Sequence, residues 1–145
     1  MRAWRAFVET SEAVKQEIER RMQRESGLST GDYAVMVALS EHQDRTLRSS
    51  GLADLIGWER SRLSHHLGRM ERRGLIRRRT TPGDSRGAEI LLTDAGADLF
   101  RKASAPHLRD VHDVFVTAIT TEQLMAVERA MRAVRAHLDE HPSAG

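Results

Sequence analysis

The chain alternates between stretches with a helical apolar repeat and short stretches rich in turn formers. Residues 4–25 contain few helix breakers, and Trp4, Phe7, Val8, Val14, Ile18 and Met22 recur at near-helical spacing. The stripe is narrow and its flanks are heavily charged, the pattern of a helix docked on a partner rather than sunk in a core. Gly27 ends it. Ser29 opens the next helix: "STGD" has the Ser-x-x-Asp form of a capping box, and Ala34, Val35, Met36, Ala38 and Leu39 make the inner face. In "LRSSGLADLIG", Ser49 or Ser50 is expected to cap a short helix with Leu52, Leu55 and Ile56 inward and Gly57 as its stop. "WERSRLSHHLGRMERRG" is a further helix, closed by Gly74. Its Leu63, Leu67 and Met70 stand at i, i+4 and i+7 and form the buried stripe. That choice turns Arg60, Ser61, Arg62, Ser64, His65 and Arg69 outward.

After Gly74 the period changes. "LIRRRTT" and "AEILLT" flank the turn-rich "PGDSRG", which predicts a two-stranded hairpin with its tip at residues 82–87. Arg77 and Arg79 then share one face and Arg78 takes the other. Thr93 is positioned to cap a long helix through Leu99, Phe100, Leu108, Val111, Val114 and Phe115, which Pro106 is expected to kink or split. "TTEQ" offers a Thr120/Gln123 capping box for a last helix carrying Leu124, Val127, Met131, Val134 and Leu138. There is no internal repeat and no linker, so residues 1–145 form a single domain.

Composition sharpens this picture. A chain of 145 residues, 39% hydrophobic and 30% charged, suits a soluble globular domain with its own core. No apolar run approaches the roughly 18 residues of a membrane span, and "MRAWRAFVETSE" turns acidic too early for a signal peptide; a cytoplasmic protein is expected. The absence of cysteine excludes disulfides, thiolate metal sites and thiol-based redox sensing. Charge is unevenly placed. Residues 57–87 hold nine arginines against three acids, although the whole chain is only +2, so the remainder is net acidic. Genome composition accounts for a preference of arginine over lysine; it does not account for the clustering.

Two short helices joined by a tight glycine turn and followed by a hairpin describe a winged helix-turn-helix. A helix fits the DNA major groove and its outer side chains reach base edges. A hairpin tip reaches the neighbouring minor groove, whose narrow tracts attract arginine. Arg60, Arg62, Ser64 and His65 are the base-edge candidates; Ser61, Arg69, Arg72, Arg73 and Arg77 are phosphate candidates; Arg86 sits at the wing tip. His66 neighbours the buried stripe and is expected to be a partly packed side chain. Catalytic signatures are missing: there is no glycine-rich phosphate loop, no His-Glu-x-x-His and no nucleophile elbow, and the adjacent Ser64 and His65 diverge on a helix. An enzyme is not expected, and no cofactor.

"LADLIGWERSRLSHHLGRMERRGLIRR", the wing "DSRG" and "LLTDAG" at the start of the following helix together resemble the MarR family of bacterial transcription regulators, over nearly the whole chain. The resemblance implies a mainly α fold with a small β-hairpin wing, a winged helix-turn-helix lobe at 30–93, and dimerisation helices at 1–28 and 94–145. It implies a homodimer on a palindromic operator in double-stranded DNA, most simply a repressor, relieved by a small phenolic or anionic effector. The wing set is Arg78, Arg79, Asp84, Ser85 and Arg86, with Arg86 in the minor groove and Asp84 bracing the wing. Met22, Met36, Leu39, His42 and Leu108 are expected to line a modest effector pocket at the junction of lobe and dimerisation helices. Two positions depart from the family pattern. Glu59 stands where Ser, Thr or Asp usually caps the recognition helix, and Trp58 replaces a smaller apolar residue and is expected to pack between the two motif helices. Two alternatives stand beside this reading. One is a zinc-responsive regulator of the same fold using Glu41, His42, His107 and His112, although the five-residue spacing of His107 and His112 places them about 140° apart on a helix. The other is a protein-interaction module that binds an acidic partner rather than DNA.

Overall fold

The computed structural model describes residues 1–80 and 87–141. The wing-tip expectations for Asp84, Ser85 and Arg86 therefore lie outside the described residues. The first helix, α1 (Arg2–Ser26), stops at Gly27, whose φ of 66° is the left-handed conformation that glycine adopts without penalty. Helix α2 (Thr30–Ser40) begins with the expected capping box: the Ser29 hydroxyl accepts from the Asp32 N–H at 2.9 Å, and the Asp32 carboxylate accepts from the Ser29 N–H at 3.0 Å. Next come strand β1 (Thr46–Arg48), α3 (Ser49–Ile56) and α4 (Arg60–Arg72). Strands β2 (Ile76–Arg79) and β3 (Glu89–Leu92) lead to α5 (Asp94–Val114) and α6 (Thr121–Glu140).

The sheet has three strands rather than two. β3 lies in the middle, antiparallel to both neighbours, with Ile90 opposite Leu47 on one side and Arg78 on the other. A three-residue strand is too short to declare itself by alternation, so β1 has no periodic signature in the sequence. Its pairing has a consequence for α3. The N-cap is Arg48, whose side chain makes no capping bond to α3, and neither Ser49 nor Ser50 is the N-cap; instead the Ser49 N–H donates to the Ala88 carbonyl at 2.9 Å, tying the start of α3 to the wing. Within α3, Leu52 and Ala53 are buried while Leu55, expected inside, is 57% exposed. The helix is short enough that Ala53 closes the interface in its place.

The core lies where α2, α3, α4 and the sheet meet. Leu28, Met36, Leu39, Leu52, Leu63, Leu67, Met70, Ile76 and Ile90 are all essentially inaccessible, and each contributes about 1.5–3 kcal/mol by leaving water. Helix α5 is stitched to this core at its first turn. Thr93 caps it by accepting from the Gly96 N–H and donates to the Gly74 carbonyl at 2.7 Å. A Cβ at Gly96 would stand 2.1 Å from the Leu75 carbonyl oxygen, so only glycine allows this approach. Pro106 does not split α5, which runs on to Val114. The N–H that would face the Lys102 carbonyl is the one helical bond the proline removes. The second half of α1 packs on α5, with Arg21 3.3 Å from the buried Asp110. α6 has the expected Thr120/Gln123 capping box but no buried residue.

Candidate nucleic-acid interface

Helix α4 takes its orientation from its apolar stripe. Leu63, Leu67 and Met70 are 1%, 1% and 0% exposed. Arg60, Ser61, Arg62, Ser64, His65 and Arg69 are all exposed, as the spacing predicts. Glu59 is the N-cap residue and its side chain makes no capping bond, so the first turn presents bare backbone N–H groups beside a carboxylate. Next to this face a cleft of about 540 Å³ opens between α4, the start of α3 and the wing. Its rim carries Ser49, Ser50, Arg60, Ser64 and Arg78, and Leu63, Leu67 and Ile90 form its floor. Hydroxyls and guanidinium groups over an apolar floor are suited to a phosphate backbone at the rim and unsuited to a buried charge.

The remaining arginines divide into two kinds. Arg72, Arg77 and Arg79 are exposed, and Arg79 stands 3.8 Å from Glu89 across the sheet. Arg78 and Arg73 are engaged within the fold. Both the N–H and the guanidinium of Arg78 donate to Glu71 at 2.9 Å, which holds that carboxyl below its usual range. The guanidinium lies over Gly68, where a Cβ would meet it at 3.1 Å. Arg78 thus braces the wing against α4 before it meets anything else. Arg73 leaves the phosphate set: it donates to Asp32 at 2.6 Å and to the Gly27 carbonyl at 2.8 Å, which locks the end of α4 to the α1–α2 corner. No local pattern in the sequence relates Asp32 to an arginine 41 residues later.

Asp32 is the hub of that corner, with its side chain 4% exposed. Burial pushes its carboxyl up, but His66, Arg73 and the Ser29 N–H together outweigh burial and hold it well below the usual carboxylate range. His66 is more buried than a partly packed side chain. Its Nε2 lies 2.9 Å from Asp32 Oδ1, though not in line for a good hydrogen bond, and its Nδ1 faces Arg69 Nη2 at 2.9 Å. Trp58 does not simply fill the gap between α3 and α4. Its ring reaches Gly31 at the start of α2, stands edge-on to His66, and lies 4.3 Å beneath the guanidinium carbon of Arg62.

The five residues expected to form an effector pocket do not converge. Met36 and Leu39 are fully buried in the core, Leu108 is 66% exposed, and His42 is bonded through Nδ1 to the Ala38 carbonyl at the end of α2. Only Met22 lines the cavity that does lie at this junction. It has a volume of about 210 Å³ between α1 and α5 and is walled by Glu25, Ser26, Leu99, Lys102, Ala103, Pro106, His107 and Asp110. The His107 ring packs against Tyr33, tilted by 48° with 4.4 Å between ring centroids, and its Nδ1 is buried without a partner among the described residues. Burial lowers its pKa against the pull of Asp110. His112 instead lies beside Asp113 at 3.3 Å, and the described residues contain no metal-holding group of three His, Cys, Asp or Glu.

A family model described as MarR matches residues 26–87, the span from the α1–α2 corner to the wing. Over the whole chain the likeness is stronger. The crystal structure of AbsC, a MarR family transcriptional regulator from Streptomyces coelicolor, is 32% identical, with 96% of this chain and 93% of that chain covered and a TM-score of 0.84. The chain belongs to the MarR family of transcriptional regulators. A second MarR regulator from the same organism, Sco3205, was solved in complex with DNA; it is 33% identical, with 97% and 87% covered and a TM-score of 0.86. The transcriptional repressor MprA of Escherichia coli K12 is 23% identical over 124 residues, covering 86% of this chain and 70% of its own length. The motifs that carry the MarR resemblance thus coincide with structural necessities here: "LLTDAG" with the Gly96 contact, and the leucines of "SRLSHHLGRM" with the core. No helix among the described residues is long and apolar enough to cross a membrane.

Proposed function

We propose that this MarR family chain acts as a homodimer that binds a palindromic DNA operator through α4, most simply as a cytoplasmic repressor, by binding rather than by catalysis. The observation that carries the reading is the division of α4 into two faces. Its leucines and methionine are sunk in the core, and Arg60, Ser61, Arg62, Ser64, His65 and Arg69 are left together on the outside. The lobe at 30–93 supplies the reading head, with Arg60, Arg62, Ser64 and His65 toward base edges and Ser61, Arg69, Arg72 and Arg77 toward phosphates. Arg79 and, from the sequence, Arg86 extend the contact through the wing.

The terminal segments 1–28 and 94–145 supply the dimer. Trp4, Phe7 and Val8 on α1 and Met125, Val127, Met131, Val134 and Leu138 on α6 are between 40% and 63% exposed, an apolar area that a second copy would cover. Two lobes on one rigid dimer require half-sites about one helical turn, roughly 34–36 Å, apart. The cavity between α1 and α5 is the proposed effector site, because it lies where the dimer helices leave the lobe. An aromatic phenol or acid there would meet the neutral imidazole of His107 and the Lys102 ammonium. Occupancy would favour one lobe spacing over another by its differential affinity.

Selection from a randomised duplex pool tests the DNA reading. An enriched palindrome bound with a steep salt dependence supports it; equal retention of all duplexes points to the acidic-partner module. Phenols and benzoates that release the selected duplex would support the effector site, provided His107→Phe, which keeps an aromatic ring against Tyr33 and removes the ring nitrogens, blunts the response.

A further inference from the structure

Arg62, His66 and Arg69 stand at i, i+4 and i+7 on α4, and so occupy one face of the helix. The two arginines are exposed; His66 between them is 8% exposed. Behind them Trp58 and His66 meet edge to face, with centroids 5.1 Å apart at 85°. Each ring holds one guanidinium. The Arg62 guanidinium carbon lies over Trp58, 4.3 Å from the ring centroid, and Arg69 Nη2 is 2.9 Å from His66 Nδ1. His66 is itself fixed from behind by Asp32 at 2.9 Å. A nitrogen facing a guanidinium N–H must accept, and a nitrogen facing a carboxylate must carry the proton. The ring is thus held between the two neighbours, Nδ1 toward the arginine and Nε2 toward the carboxylate. The floor beneath the pair is Gly31 of α2, where a Cβ would stand 2.8 Å from the Trp58 ring and 3.0 Å from the His66 ring.

We propose that Trp58 and His66 are positioning residues for DNA recognition: an aromatic platform, seated on Gly31, that sets Arg62 and Arg69 on the outer face of α4 without itself touching DNA. This rests on the DNA-binding reading above. An arginine free in solvent loses the freedom of several rotatable bonds when it binds a phosphate or a base; one already held loses less. The holding contacts leave the working atoms available. The cation–π contact with Trp58 takes up no hydrogen-bond acceptor of its own, so the Arg62 donors are not spent on one, and His66 takes only one of the five donors of Arg69. The arrangement also gives a role to a tryptophan and a buried histidine that lie behind a basic face.

The test uses the full chain and the duplex that wild type selects from a randomised pool. Arg69→Ala weakens binding about tenfold, as expected for a lost charge-assisted bond, and lowers the log–log salt slope by about 0.9 if the contact is to phosphate. His66→Phe, which keeps the packing on Trp58 but loses both nitrogens, produces a similar loss and a similar slope change. It adds nothing further when Arg69 is already alanine. His66→Gln, which can still donate toward Asp32 and accept from Arg69, restores most of the affinity. Trp58→Leu behaves in the same way toward Arg62→Ala. Gly31→Ala weakens binding although it lies on α2 and alters neither arginine; it supplies the readout should His66→Phe fail to fold. Independent, additive losses in the double variants with an unchanged salt slope would overturn the proposal, as would tighter binding by His66→Phe. A pool from which no duplex is enriched would overturn the DNA-binding reading together with the platform, whereas an enriched duplex with additive variants would overturn the platform alone.

Discussion

Helices α4 and α6 carry the same kind of apolar repeat and meet opposite fates. In α4 the side chains at 63, 67 and 70 are at most 1% exposed. In α6 Val127 and Met131 are each 40% exposed, Val134 is 53% and Leu138 is 56%. Periodicity in a sequence therefore announces a face but not what covers it. The middle of the chain completes its own core, because α2, α3 and the sheet enclose α4 from behind. The last helix projects from that core with its capping box in order and its apolar side uncovered. A helix of this kind draws its stability from tertiary packing rather than from propensity alone, and in the proposed homodimer a second chain supplies it.

The largest effect expected from breaking this contrast is at α6. Val134→Glu with Leu138→Glu should yield monomers by sedimentation and cost about 10²–10⁴ in apparent operator affinity, the loss of effective concentration when two lobes are no longer linked. A dimer that survives both charges would place the interface elsewhere. Leu67→Ala strikes the covered face instead. It should destabilise the fold by about 2–5 kcal/mol in denaturant titration, equally at every protein concentration. Leu138→Ala should matter only through the concentration-dependent part of stability.

Asp32 gives a polar counterpart to the covered leucines, since its side chain is buried within one chain while its partner Arg73 stays partly in solvent. Only the folded chain favours its charged form. The unfolded chain therefore takes up the proton first as pH falls below the ordinary value of 3.8. The stability contributed by Asp32 is complete above that value and drains away below it. Asp32→Asn should cost about 3 kcal/mol at neutral pH and flatten the acid limb of the stability curve; an acid limb unchanged in the variant would assign it to other carboxylates. The smallest expected effect is on the outer face of α4. Arg62→Ala should cost about 1–3 kcal/mol in operator binding, with little change in melting temperature.

Much of this was legible in the amino-acid order. The capping boxes at Ser29 and Thr120, the stop at Gly27 and the burial of Leu63, Leu67 and Met70 follow from local chemistry and helical spacing, and the structure has them. Contacts distant along the chain were not legible. Arg73 looks like another surface arginine until α4 and the α1–α2 corner come together, and then Asp32 claims it. Arg78 is likewise claimed by Glu71. The third strand is too short to carry a period, and in α3 it is Ala53 rather than Leu55 that is buried. Met36, Leu39 and Leu108 all lie on helices at the junction, yet two face the core and one faces solvent, which proximity along a helix does not reveal.

The central claim is that the outward face of α4 meets the DNA backbone and bases. It is tested most directly by measuring affinity for the selected duplex across a salt series, in wild type and in Arg60→Ala, Arg62→Ala and Arg69→Ala, with Arg101→Ala on α5 as the control. The expected result is a steep wild-type slope, weaker binding in all three α4 variants, a slope smaller by about 0.9 for each phosphate contact removed, and no change in the control. Full affinity in the three α4 variants, or an equal loss in Arg101→Ala, would contradict it.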